Sequence, residues 1–371
     1  MSVLSFVDMK ILWLAHRDPL NPKAGGAERI IEEIGRRLVA SSNSVTIFAP
    51  RFKNSKIEEH LHGIRIVRSG GNLGSHLMLP TFLLKEHFDV VVSDLGHAVP
   101  WISPKLLRRK LVVHFLHLHR RSLPGQVSRV LAFAISSLER CYFLSYHNTR
   151  FVTISDSSLH DLTENLHINI KKCSVIRPGV NSEIFVETPK TKQPSMIYFG
   201  GMRDYKRPYE SLYILSSLIS KFPDITLTAV GDGPSKPMMM QLARDLGVSD
   251  RVNFTGRIDS KTLSKLVGSS WLNIHTSVTE GWGISIIEAA SAGTPTVGYD
   301  VPGVSESIVM GLNGLKVRDG DRTALCEAAE RVLGNPGPFC KTSLEVAREY
   351  SWDEAAKIWY EVLKMTAESS S

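Results

Sequence analysis

The stretch SVTEGWGISIIEAASAGTPTV, residues 277–297, decides how the rest of the chain is read. It follows the β-type run WLNIH (271–275) and leads into a short helical pattern. Gly281 and Gly283 permit a tight bend, and the helix is predicted to begin around Gly283. The first N–H groups of a helix lack intrahelical partners. Those of Gly283, Ile284 and Ser285 would therefore point at an anion such as a diphosphate. Glu280 ends the loop. Glu288 lies about one and a half turns into the helix, where a carboxylate can accept from both hydroxyls of a ribose. The bland alternative is a partly buried helix glutamate paired with a basic neighbour, and the density of the combination speaks against it.

Outward from this stretch, β-type runs alternate with helical patterns. The first half offers 10–15, 44–49, 64–67, 89–93, 111–116, 151–154 and 174–177 as strands; the second offers 196–200, 225–230, 251–254, 271–275 and 294–298. Between them, Ala27, Ile30, Ile31, Ile34 and Leu38 recur at helical spacing. Such alternation predicts parallel sheets covered by helices. The series restarts near residue 195, after VETPKTKQPS (186–195), a Pro- and Lys-rich stretch that reads as a linker. Two doubly wound α/β domains are expected, 1–185 and 190–350, followed by a terminal helix within 351–371. Ligands of such sheets bind at the carboxyl ends of strands, where strand order switches. Two such domains face a central cleft.

Composition allows this. The chain has 371 residues, 43% of them hydrophobic and 22% charged, an ordinary globular balance. No run of eighteen apolar residues appears, and MSVLSFVDMK lacks the parts of a signal peptide, so a cytoplasmic location is expected. Cys141, Cys173, Cys326 and Cys340 are too widely spaced for a zinc or disulfide framework. The net charge of +7 is uneven: residues 1–185 hold 24 Lys and Arg against 15 Asp and Glu. PKLLRRK (104–110), HRR (119–121) and VSRVLAFAISSLERCYFLSYHN (127–148) mix basic and apolar residues. Such a surface suits an anionic bilayer; a core helix with solvated charges reads equally well. Nucleic acid is not expected, since no binding motif appears.

After the first strand, HRDPLNPKAGGAER places Gly25 and Gly26 before a helix, as an anion site or simply a turn. Together with E-x(7)-E at 280–288, several landmarks resemble glycosyltransferase family 4, the retaining group 1 enzymes with the GT-B fold. They are NPKAGGAER, VTISDSSLHDL with VIRPGVNSEIF, YFGGMRDYKRP, VGDGP, RVNFTGRI and SWDEAAKIWYEVL. The resemblance implies an α/β GT-B architecture of two Rossmann-like domains, with the last helix crossing back onto the first. It implies transfer of a sugar, with retention, from a UDP- or GDP-sugar to a glycan or lipid-linked acceptor. Lys206 would bind the donor's diphosphate and Gly26 the same phosphates. Glu288 would hold the ribose and Glu280 a sugar hydroxyl. Backbone at Arg257 and Ile258 would meet the base. His114, in KLVVHFLHLHRR, would lie near the reacting sugar, ahead of His117 and His119. One departure is Gly201, where the family usually has Arg; Arg203 either supplies that charge or is a surface residue.

Asp319 and Asp321 form a D-x-D, but Asp321 precedes a helix and reads as its N-cap. No metal and no resident cofactor is expected; the nucleotide-sugar is a co-substrate. Three other readings share some features: a non-catalytic nucleotide-sugar-binding subunit, a sugar-nucleotide epimerase, and a peripheral membrane scaffold, which leaves E-x(7)-E unexplained.

Overall fold

The computed structural model describes residues 8–95, 100–118, 120, 123, 128–146 and 148–369, without the side chains of 138 and 140–145. The chain divides into two compact units. The first takes Met1–His119, Val130–Pro178 and Trp352–Ser371; the second takes Arg120–Arg129 and Gly179–Ser351.

The first unit holds β1 (Lys10–Leu14), β2 (Ser44–Ala49), β3 (Glu58–Leu61), β4 (Ile64–Arg68), β5 (Val90–Asp94), β6 (Leu111–Phe115), β7 (Arg150–Thr153) and β8 (Cys173–Val175). Their order in the sheet is β3-β4-β2-β1-β5-β6-β7-β8. All neighbours are parallel except β3 and β4, a hairpin turning through His62 and Gly63, both at positive φ. The order reverses between β1 and β5. A core of Leu12, Leu14, Phe48, Val91, Val113 and Phe151 lies on one face. On the other face, Trp359 of the helix Trp352–Glu368 packs 4.9 Å from the ring of Trp13. The same helix is tied to the helix Gly26–Ala40 by Arg37 and Asp353, 2.5 Å apart.

The second unit holds β9 (Ser195–Phe199), β10 (Thr226–Val230), β11 (Val252–Gly256), β12 (Leu272–His275), β13 (Thr296–Asp300) and β14 (Gly314–Arg318). They form an all-parallel sheet in the order β11-β10-β9-β12-β13-β14, which reverses between β9 and β12. Buried strand residues such as Met196, Leu227, Ile274 and Val297 pack with Leu215, Ile286 and Leu325 from the covering helices.

Two strands escape the sequence reading. β3 (EEHL) is polar and lies at the sheet edge, so it shows no apolar alternation. β14 (GLKVR) is also an edge strand. It begins at Gly314, where any Cβ would stand 1.8 Å from the Thr296 carbonyl oxygen. The expected linker is a further difference. The chain passes from one unit to the other at 178–179, and residues 186–195 are bonded into the second unit. Lys190 Nζ donates to the Ser270 carbonyl and to Thr294 Oγ1, each at 2.7 Å. Burial pushes that amine down to about 8. The segment lacks apolar periodicity because polar bonds, not a hydrophobic face, hold it. Among the described residues no helix is long and apolar enough to cross a membrane.

Truncating Trp359 removes a fully buried ring from against Trp13 and His114. Trp359→Ala is expected to reduce stability by roughly 3–5 kcal/mol. Denaturant unfolding of the variant would read this; a loss under about 1 kcal/mol would show that the helix packs less closely than described.

Candidate active site

The second unit's order reversal places the loops after β9 and β12 side by side. The first carries Lys206 and the second Glu280, 74 positions apart in the chain. Lys206 Nζ donates to Glu280 Oε1 at 2.8 Å, with the two side chains 21% and 15% exposed. Ser277 Oγ donates to the same oxygen at 2.6 Å, and His275 Nε2 lies 3.4 Å from it. Burial alone would favour the neutral forms. The pairing overrides it, raising Lys206 above the usual lysine range and holding Glu280 below the usual carboxylate range. Backbone bonds fix both loops: Val278 N–H donates to the Tyr205 carbonyl at 2.7 Å and Glu280 N–H to the Pro302 carbonyl at 3.0 Å.

The helix after Glu280 runs Ile284–Ser291, with Gly283 as its N-cap at φ +85°. A Cβ at Gly283 would meet Ile286 Cδ1 at 2.9 Å, so position and conformation both select glycine. Ile284 and Ser285 are half-buried, and Ser285 Oγ lies 3.3 Å from His275 Nδ1. Glu288 sits on this helix at 5% exposure, deeper than a surface ribose contact needs. Arg203 is exposed, and its Nε lies 3.9 Å from where a Cβ on Gly201 would stand. It therefore covers the position vacated at 201. Arg257 and Ile258 follow β11, the outer strand, two strands from β9 and hence about 10 Å from it. They are not beside the Lys206–Glu280 pair.

In the first unit, Gly25 is the N-cap of Gly26–Ala40 and both glycines are exposed. The sequence reading missed Glu28, whose carboxylate turns back to accept from Gly25 N–H at 2.6 Å and pairs with Arg17 Nε at 3.1 Å. The G-x-x-E spacing of a capping box was the available signal. Burial raises the Glu28 carboxyl, outweighing Arg17. The loop before the glycines is anchored by a buried pair, Asp18 with Arg68, at 2.7 and 2.8 Å.

His114 lies within β6, fully buried, with Nδ1 2.8 Å from Asp94 Oδ1 and its ring edge-on to Trp13 and Trp359. Its Nε2 is buried and makes no hydrogen bond. His117, beyond the carboxyl end of β6, is half-buried. His119 lies outside the described residues. Three further rings meet beyond β1: His76 stacks on Trp101 at 4.1 Å, and His16 lies 4.8 Å from Trp101. Burial lowers the His76 pKa, which favours its neutral form.

Asp321 Oδ1 accepts from Ala324 N–H at 3.0 Å as the cap of Arg322–Gly334, and Asp319 pairs with Arg207 at 2.5 Å. The two carboxylates thus have separate structural partners. Among the described residues no cluster of three His, Cys, Asp or Glu has metal-site geometry.

Residues 180–351 match the family model for glycosyl transferases group 1, and residues 24–184 match that for glycosyltransferase family 4. An uncharacterised glycosyltransferase of Methanocaldococcus jannaschii is 25% identical over 340 residues, covering 84% of this chain and 87% of that protein. The sucrose-phosphate synthase of Thermosynechococcus elongatus superposes with a TM-score of 0.80 at 19% identity, covering 96% and 98% of the two chains. Anabaena HepE, in complex with UDP-glucose, gives 0.76 at 18% identity, covering 96% and 100%. The fold is GT-B.

The site's ion pair makes a pH-dependent contribution of defined sign. Glu280 is held below its usual value of 4.5, so its stabilisation is full above that value and fades as pH falls through the folded value. Glu280→Gln should therefore melt below wild type at neutral pH, with the gap narrowing in acid. Thermal scans showing a gap independent of pH would contradict the pairing.

Proposed function

The chain belongs to the group 1, family 4 glycosyltransferases, and on that footing we propose that it moves a sugar, with retention, from a UDP- or GDP-sugar to a hydroxyl of a glycan or lipid-linked acceptor. The observation that carries the reading is the half-buried Lys206–Glu280 pair beside the N-terminus of Ile284–Ser291. As the sugar leaves, negative charge grows on the β-phosphate. Lys206 is a positioned cation whose charged form the neighbouring Glu280 favours, and the helix N–H groups add a positive field. Arg203, lying over Gly201, supplies a second charge. Glu280, kept ionised, holds Lys206 in place and accepts from a sugar hydroxyl.

The nucleoside runs from this point toward Arg257 and Ile258, at the carboxyl end of β11, two strands from β9. Glu288 takes the ribose once its carboxylate is uncovered. On the first unit, Gly26, His117, His16 and His76 are the candidates for ligand contacts, and burial favours the neutral form of His76. No side chain in the second-unit cluster is a free carboxylate nucleophile, because Glu280 is engaged by Lys206, Ser277 and His275. The reading is therefore that the departing phosphate takes the acceptor's proton. The reading calls for no metal; Asp319 pairs with Arg207 and Asp321 caps a helix.

The test is a screen of UDP- and GDP-sugars for transfer and hydrolysis, with the product's anomeric configuration read by NMR. Lys206→Ala should lower turnover about a hundredfold or more, and Arg203→Ala by roughly tenfold, as positioned charges at a developing anion. EDTA should leave turnover unchanged. Full activity in a folded Lys206→Ala variant, an inverted product, or a divalent-ion requirement would each overturn the corresponding part.

A further inference from the structure

We propose that the helix Gly74–Lys85 seats the first unit on an anionic lipid bilayer. This goes beyond the sugar-transfer reading and stands independently of it. The helix is apolar nearly all round, yet it is a surface element. At 3.6 residues per turn, Leu73, Leu77 and Leu84 fall within about 40° of one another. They are 76%, 79% and 72% exposed, whereas Leu79 and Leu83 on the opposite side are fully buried. The helix Ser103–Leu106 packs against it and adds Leu106, 75% exposed. Scattered surface leucines are ordinary; three on one helical face with a fourth on its neighbour form a patch.

Charge selects the occupant. Residues 69–85 and 100–138 contain no aspartate or glutamate. Lys85 and Arg108 are exposed and Lys105 is half-buried, so these elements carry only cations. Leucines that enter the acyl boundary, beside lysine and arginine that meet headgroup phosphates, are the two components of interfacial binding. A second copy is a poor occupant, because a two-fold contact sets this cationic rim against itself. Arg109 and Lys110 belong to the same basic run but are committed elsewhere. Arg109 donates to the Leu83 carbonyl, at the end of the apolar helix, and Lys110 to the Ala367 carbonyl. The structure thus narrows the lipid-facing cations to Lys85, Lys105 and Arg108. His76, stacked on Trp101, belongs to the same helix. A lipid-borne acceptor would reach that ring cluster from the surface on which the helix rests.

The experiment is sedimentation of the full chain with vesicles of phosphatidylcholine alone and of phosphatidylcholine with phosphatidylglycerol. Wild type should pellet with the mixed vesicles only and be released at high salt, where the Debye length shrinks to about 3 Å at 1 M. A Leu73→Ser, Leu77→Ser, Leu84→Ser variant should bind about tenfold or more weakly, and so should a Lys85→Ser, Lys105→Ser, Arg108→Ser variant. Leu77→Ser alone should weaken binding several-fold, with an unchanged melting temperature showing that the fold is intact. Three results would overturn the proposal: wild type that ignores anionic vesicles, variants that pellet like wild type, or a concentration-dependent dimer that the leucine substitutions abolish. Donor hydrolysis measured without vesicles should be the same in wild type and in all these variants, which separates this test from that of the donor site.

Discussion

The second sheet reverses its strand order between β9 and β12, and the chemistry of the molecule depends on that reversal. Connections from two adjacent strands diverge there, leaving room between loops that would otherwise be covered. Into this space the chain brings one lysine and one glutamate, each from a loop pinned by backbone hydrogen bonds. A buried lysine by itself would tend to lose its proton, and a buried glutamate to gain one. Side by side they keep each other charged. The site thus holds a lysine and a carboxylate that favour each other's charged forms, positioned before any ligand arrives.

The loop and helix around this pair were legible in the sequence, because local parts have local signatures; the contact between Lys206 and Glu280, 74 positions apart, was not. Gly283 is marked by a conformation that only glycine adopts readily, and Asp321 by its place before a helix. The alternation of strand and helix patterns was legible for the same reason. What escaped was whatever gets its stability from something other than a hydrophobic face. β3 and β14 are edge strands with polar residues, and residues 186–195 read as a tether although Lys190 is bonded deep within the second unit. Glu28 was passed over because a glutamate three residues into a helix looks solvated until its carboxylate turns back on Gly25.

His114 and the apolar helix show a second limit. A histidine inside a strand and one just beyond it look alike in a short motif, H-x-x-H. The end of β6 at Phe115 separates a core residue bonded to Asp94 from one at the strand's carboxyl end. Likewise the basic run 104–110 looked uniform, but its residues divide between helix-end carbonyls and solvent. The helix Gly74–Lys85 drew no notice in the sequence, since a largely apolar segment reads as core. Only its exposed leucines reveal a face turned outward.

The central claim is that a nucleoside diphosphate binds the loops at the second sheet's reversal. Amide hydrogen exchange of the full chain, with and without UDP or GDP, tests this most directly. Protection is expected in residues 200–207 and 277–288, with a smaller effect at 256–258 and none on the helix Arg322–Gly334. Protection confined to other segments, with the loops around Lys206 and Glu280 unchanged by both nucleotides, would contradict it.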